Sequence, residues 1–161
     1  MIRRARPEEA RALWQIRNLA IRAGCRASYG EEKVMAWTPD KMPGGYLQAI
    51  VQHPFFVADA PGFPVATGFL DSEKHSVEAI FTLPDHMGKG YATQILTAIK
   101  NEALSRGSTT LTLSSTPDAM TFYQRHGFTL LRESVYHSAL AGDLLCMEMQ
   151  AGLLHSEKVT F

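Results

Sequence analysis

Val77-Glu78-Ala79-Ile80-Phe81-Thr82-Leu83-Pro84-Asp85-His86-Met87-Gly88-Lys89-Gly90-Tyr91-Ala92 joins an apolar strand-type run to a helix through a proline and a turn with two glycines. Proline lacks the N–H that a sheet ladder needs, so the strand stops there. Beyond the turn, Ala92, Ile95, Leu96, Ile99 and Ala103 recur at helical spacing up to the stop at Arg106-Gly107. The first amides of a helix have no partner inside it and carry partial positive charge. The turn is therefore a seat for a phosphate group. The same two glycines also serve a tight strand-to-helix turn that binds nothing. The segment lacks the lysine-serine end of a P-loop and the three-glycine spacing of a dinucleotide fold, which disfavours a nucleoside triphosphate.

Working outward, Phe55 to Ala58, Val65 to Leu70 and Ser76 to Leu83 are strand-type runs. Pro61-Gly62-Phe63-Pro64 and Asp71-Ser72-Glu73-Lys74 divide them, as in an antiparallel meander. Towards the N-terminus, Ile2 to Ala5 suits a short strand. Pro7, Glu8 and Glu9 then start a helix running to about Ala23, with Leu13, Ile16 and Ala20 on one face. Gly24 to Gly45 is loop-rich, with a short helix predicted at Glu31 to Trp37 and breakers at Thr38-Pro39-Asp40 and Met42-Pro43-Gly44-Gly45. Towards the C-terminus come a strand at Thr110 to Leu113 and a helix from Thr116-Pro117-Asp118 to Gly127. Strands at Phe128 to Leu131 and Leu144 to Met149 follow. This order predicts an α/β (α+β) protein with a mixed, mostly antiparallel sheet of six to seven strands, flanked by about four helices. One parallel crossover encloses the helix from Gly90 to Arg106. Residues 1–150 read as a single domain and 151–161 as a C-terminal tail.

The composition, 45% hydrophobic and 20% charged, is that of a globular chain. Sixteen basic and sixteen acidic residues cancel, so no global field draws in nucleic acid or an anionic membrane. No apolar run reaches the ~18 residues that span a bilayer. The start Met1-Ile2-Arg3-Arg4 has no secretory pattern, and Cys25 and Cys146 lie far apart, so a cytoplasmic protein with buried free thiols is expected. The six histidines show no zinc-type spacing, so no metal is expected.

The strand, turn and helix of residues 77–92 resemble the GCN5-related N-acetyltransferase (GNAT) family, in which a V-x-P strand end leads into Q/R-x-x-G-x-G/A. Thr82-Leu83-Pro84 and Met87-Gly88-Lys89-Gly90-Tyr91-Ala92 occupy those elements. The family's second signature, F-Y-x-x-x-G-F, is present as Phe122-Tyr123-Gln124-Arg125-His126-Gly127-Phe128. The chain departs from the pattern at Met87, usually glutamine or arginine, and at Thr82, often valine. The resemblance covers roughly Phe55 to Met149. It implies the acyl-CoA N-acyltransferase fold with splayed central parallel strands, acetyl-CoA as cosubstrate, and a primary amine of a small molecule or peptide as acceptor. It also admits a homodimer through the last strands. In such a protein the cofactor lies along Ile80, Phe81 and Thr82, then Met87, Gly88, Lys89, Gly90, Tyr91 and Ala92, with Ser115 and Phe122 as further contacts. Methionine brings no charge to the pyrophosphate, which leaves that work to backbone amides and Lys89. Lys89 reads equally well as a solvated lysine at a helix start.

Acyl transfer to an amine needs a neutral amine, a stabilised oxyanion and a proton for the departing thiolate. An alkylammonium has a pKa of ~10, so a base or a desolvating pocket must take its proton. Glu78 is the candidate base, placed by strand alternation on the side of Ile80 and Thr82. The alternative is a solvated carboxylate at the strand's beginning beside His75 and Ser76. Tyr123 is the candidate acid, and its alternative is packing on a helix face with Met120 and Phe122. Tyr29, Trp37 and Phe55 are candidate walls of the acceptor pocket, with Glu31 or Glu32 as partners for a cationic amine; core packing accounts for the aromatics as well. Ser114 to Thr116 follow a strand where a helix cap at Thr116 is the plainer reading. The competing class is a non-catalytic acyl-CoA-binding or interaction module on the same scaffold.

Overall fold

In the computed structural model, which describes residues Ile2–Leu153, one seven-stranded sheet runs β1-β2-β3-β4-β5-β7-β6. The strands are β1 (Ile2–Arg4), β2 (Phe55–Ala60), β3 (Phe63–Asp71), β4 (Ser76–Thr82), β5 (Thr110–Ser115), β6 (Thr129–Ser138) and β7 (Gly142–Gly152). All neighbours are antiparallel except β4 and β5. The helices are α1 (Ala10–Gly24), α2 (Arg26–Tyr29), α3 (Glu31–Trp37), α4 (Gly44–Gln52), α5 (Tyr91–Ser105) and α6 (Met120–Arg125). This is the acyl-CoA N-acyltransferase fold, with six α-helices among the described residues where the sequence suggests about four. Among the described residues no helix is long and apolar enough to cross a membrane.

The additional helices have local causes. Pro43 takes an extended conformation at the N-cap of α4, so Met42-Pro43-Gly44-Gly45 opens a helix instead of only breaking the chain. Tyr46, Ala49 and Ile50 of α4 then share one face against the core. β6 and β7 are ten and eleven residues long, far beyond the short strands expected at Phe128 to Leu131 and Leu144 to Met149. β6 carries the exposed Arg132, Glu133 and His137, which obscure strand periodicity in the sequence. Ala151 and Gly152 complete the pairing with β5, so the last strand takes in the first two residues of the expected tail. The rest of that tail from Leu154 lies outside the described residues.

The sheet is covered on both faces. On one, Ile95, Leu96 and Ile99 of α5 pack with Leu70, Val77, Leu111 and Met149. On the other, Leu13 and Ile16 of α1 and Ile50 of α4 pack with Phe55 and Val57. Each such large side chain stabilises the fold by about 1.5–3 kcal/mol when fully buried. At the N-terminus, Arg3 bonds Glu9 and Asp59 at 2.6 and 2.7 Å, tying β1 and β2 to the 3-10 turn before α1.

Two irregularities in β4 shape the site. First, Thr67 pairs with Phe81 but Phe69 with Glu78, so β4 holds one residue more than β3 across this stretch. Ala79 takes up this bulge at φ 54°. Opposite it, Gly68 leaves room: a Cβ there would lie 2.8 Å from both Ile80 Cγ1 and Ile95 Cγ2. The bulge overturns the alternation expected from sequence. Glu78 shares the face of Phe69 and Phe81, against α1 and α4, and not that of Ile80 and Thr82. Second, β4 and β5 are in register only at Ser76 and Thr112, where Thr112 N donates to His75 O at 3.1 Å. Beyond that pair the two parallel strands separate.

Candidate active site

The separation opens a cleft of about 470 Å³. One wall is Ile80, Phe81 and Thr82 of β4; another is His86 to Gly88 and Gly90 to Thr93; the far wall is Thr116, Asp118, Ala119, Phe122 and Tyr123. Ala20, Gly24 and Cys25, at the end of α1, close the top. Ser28 donates to Asp118 Oδ2 at 2.8 Å and Tyr29 to the Leu145 carbonyl at 2.7 Å, so α2 spans the gap to the elements beyond β5.

At the mouth, Gly88 and Gly90 adopt φ 76° and 89°, a conformation open to glycine at little cost. Met87 N is held in a turn by Pro84 O, at 3.4 Å. The next amides, Gly88 through Thr93, have no acceptor among the described residues, and the last three begin α5. A run of free amides at the positive end of a fifteen-residue helix fits a pyrophosphate. His86 Nδ1, buried without a partner among the described residues, adds an unsatisfied polar atom beside the turn. The unpaired edge of β4 offers backbone groups along the cleft to a pantetheine arm. These features fit coenzyme A as the group held there.

Tyr123 is buried at 7% exposure, edge-on to Phe122 and Phe128 at 5.1 and 5.7 Å. Burial, reinforced by Glu78, pushes its phenol well above the usual value, so the hydroxyl stays protonated at neutral pH. It makes no hydrogen bond among the described residues. Glu78 is partly buried and accepts a bond from Ser76 Oγ at 2.7 Å. Desolvation raises its carboxyl, opposed by that bond and by Lys74, and assisted by Asp71. Glu78 thus lies on the α1 side of the sheet and Tyr123 in the cleft, with the carboxylate close enough to act electrostatically on the phenol and the open seam between β4 and β5 beside them.

Other residues singled out from sequence lie elsewhere. Ser115 is buried and donates to the Thr116 carbonyl at 2.7 Å; Thr116, not Ser115, lines the cleft, and its hydroxyl forms no helix cap. Lys89 is exposed and is not part of the lining. Phe55, 2% exposed, stacks on Phe69 at 4.1 Å inside the core, which removes it from any pocket wall. Tyr29 and Trp37 meet edge-on at 5.8 Å and cover Ile21, Cys25 and Val34. Glu31 pairs with Arg26 at 2.6 Å on the surface, and Glu32 is exposed. Cys25 and Cys146 are free and buried, and burial pushes the Cys25 thiol up to about 11.

The sequence reading passed over His86 and Cys25 as lining residues. It also passed over Arg17, which lies on the sheet-facing side of α1 between Leu13 and Ile21. An arginine at i+4 from one leucine and i−4 from an isoleucine on the apolar stripe was the available signal.

Residues 52–130 match the family model of the acetyltransferase (GNAT) domain. Comparison with the curated proteins gives no match. Among solved structures, the chain is similar to the GCN5-related N-acetyltransferase described as "aminotransferase, class-II" from Rhodopseudomonas palustris, at 21% identity, 94% of each chain and a TM-score of 0.87. It is also similar to the PaiA N-acetyltransferase of Thermoplasma acidophilum in complex with coenzyme A, at 16% identity, 94% of this chain and 98% of that one, TM-score 0.77. YncA of Salmonella typhimurium, a putative acetyltransferase with its cofactor acetyl-CoA, follows at 20% identity, 96% of this chain and 94% of that one, TM-score 0.68. At such identities it is the fold that is shared.

Proposed function

We propose that this chain, whose residues 52–130 match the acetyltransferase (GNAT) domain, acts as a GCN5-related N-acetyltransferase and moves an acetyl group from acetyl-CoA to a primary amine of a small molecule or peptide, by direct attack in a ternary complex. The observation that carries this reading is the seam between β4 and β5, which continues without a break into the free amides of Gly88 to Thr93.

In this reading the amides at the head of α5 hold the pyrophosphate and the edge of β4 at Ile80 to Thr82 holds the pantetheine arm. Glu78 takes the proton of the attacking amine, directly or through a water. Its raised pKa makes the carboxylate a stronger base than an ordinary glutamate for that step. Amides of the β4 edge stabilise the developing oxyanion. The carbon–sulfur bond then breaks, and the Tyr123 hydroxyl gives its proton to the thiolate. A phenol without a competing hydrogen-bond partner is well suited to that donation.

The test is coenzyme A release from acetyl-CoA across a panel of amines, peptides and polyamines, with acetyl-CoA binding measured alongside. Amine-dependent release is expected. Tight acetyl-CoA binding with no release on any acceptor would refute the reading in favour of a non-catalytic acyl-CoA-binding module.

A further inference from the structure

We propose that Arg17 anchors a carboxylate of the acceptor, so that the preferred substrate is an amino acid or another amine bearing a carboxylate, and not a neutral or polycationic amine. The inference rests on the acetyl-transfer reading and names the substrate class of that site.

Leu13 and Ile21 are fully buried, and Arg17 sits one turn from each on the same side of α1. A cation in the middle of an apolar stripe is unfavourable unless it is paired. Arg3, Arg22, Arg26 and Arg106 each have a carboxylate within 4 Å, whereas Arg17 has none among the described residues. Its Nη1 donates to Asn18 Oδ1 at 2.7 Å and to the Trp37 carbonyl at 2.9 Å. Nε and Nη2 have no acceptor among the described residues. The guanidinium lies 4.2 Å from the Trp14 ring centroid and 5.4 Å from that of Trp37, in cation–π range of both. Burial pulls its pKa down to about 10, so it remains a desolvated cation at neutral pH.

The surroundings suit a ligand. Tyr46 of α4 and Tyr136 of β6 lie within electrostatic reach of the guanidinium, and neither hydroxyl has a hydrogen-bond partner among the described residues. Two free donors on a rigid planar fork match the two oxygens of a carboxylate. Arg17 is not part of the cleft that fits coenzyme A, to which α1 contributes only Ala20 and Gly24 from its last turns. The anion it awaits is therefore not the cofactor's pyrophosphate. It lies on the α1 and α4 side of the sheet, where the bulge also places Glu78. The ring series Trp14, Tyr46, Phe55 and Phe69 connects the two across that face. An acceptor held by its carboxylate at Arg17 has its amine free to reach towards the seam.

Matched acceptor pairs test this: α-amino acids against the corresponding amides and decarboxylated amines, with rates from coenzyme A release. Calorimetry with the same amino acids on the coenzyme A complex supplies a readout independent of turnover. The wild type should favour acid over amide by about 10- to 100-fold in kcat/KM, mainly through KM. Arg17→Gln should collapse that ratio to about one while leaving acetyl-CoA affinity unchanged, and Arg17→Lys should restore part of it. Melting temperatures are taken in parallel, because Arg17→Gln also frees the Trp37 carbonyl; Tyr46→Phe, which removes only a hydroxyl, gives a second arm and should raise KM for acids alone. Amides or polyamines used as well as acids by the wild type would overturn the anchor and leave acetyl transfer standing. If no amine is acetylated, transfer fails, and calorimetry still decides the anchor. Amino acid binding lost in Arg17→Gln would support it, and no binding to the wild type would overturn it.

Discussion

Gly68→Ala places a methyl group where β3 faces the bulge of β4. The backbone at Gly68 is not left-handed, so alanine has no conformational objection there. In an open strand the change would stabilise by about 0.4–1 kcal/mol through the unfolded chain. Here the new Cβ would lie 2.8 Å from Ile80 Cγ1, 2.8 Å from Ile95 Cγ2 and 3.3 Å from Ile80 Cα. Both neighbours are β-branched and stiff at χ1, and one of the atoms is backbone, so relief requires β4 to shift. Overpacking of this kind costs about 1–3 kcal/mol. The net expectation is a loss of roughly 2 kcal/mol, or a fall of about 4–8 °C in Tm for a domain of this size. Because Ile80 belongs to the cleft wall, acetyl-CoA affinity should weaken as well. Urea unfolding and acetyl-CoA titration measure the two effects. Ile80→Ala removes one clashing atom, so the double variant should lose less than the sum of the singles. A Gly68→Ala protein as stable as the wild type with unchanged acetyl-CoA affinity would refute the account of the bulge.

Tyr123→Phe is expected to lower turnover by about 10- to 100-fold with acetyl-CoA affinity and stability nearly unchanged, since the hydroxyl has no partner to lose; equal turnover would remove Tyr123 from the mechanism. Glu78→Gln should reduce the rate by about 100-fold or more and abolish the acid limb that the wild-type rate shows as pH falls through the raised carboxyl pKa, and an unchanged pH–rate profile would point to another base. The same raised pKa means that Glu78 favours folding below the ordinary carboxylate range and that this contribution is lost as pH rises through the folded-state value. At pH 7 Glu78→Gln should therefore unfold no more readily than the wild type in urea. Glu9 behaves oppositely: its bonds to Arg3 hold its carboxyl below the usual range. The stability it contributes is present above the ordinary carboxylate pKa and lost as pH falls through the depressed value. Glu9→Gln should remove about 1 kcal/mol at pH 7 and flatten acid unfolding in that window, a change that denaturant titration at pH 3 and pH 7 would detect.

What the sequence by itself determined was local or was carried by short spacings. Pro84 after the run from Ser76 marks a strand end, and Gly88, Gly90 and the stripe Ile95, Leu96, Ile99 mark a turn and a helix start. The pair of signatures around Met87 to Ala92 and Phe122 to Phe128 then points to the family. These features need only backbone sterics and a period of 3.6 or 2. Tertiary structure decided the rest. The face of Glu78 depends on one extra residue in β4 measured against β3, which no period within β4 can register. The burial of Phe55 depends on Phe69 and Tyr46 arriving from two other elements, and the disqualification of Ser115 on the turn of its side chain back to Thr116. Helix α4 is hidden behind Pro43-Gly44-Gly45 because a proline that breaks one element also starts another. Arg17 is a helix residue like any other along the chain, and that no carboxylate among the described residues pairs with it is decided only once α1, α3 and α4 are packed on the sheet. Local order is written in neighbours along the chain; a site is made of groups whose distances are set by the packing of elements far apart in it.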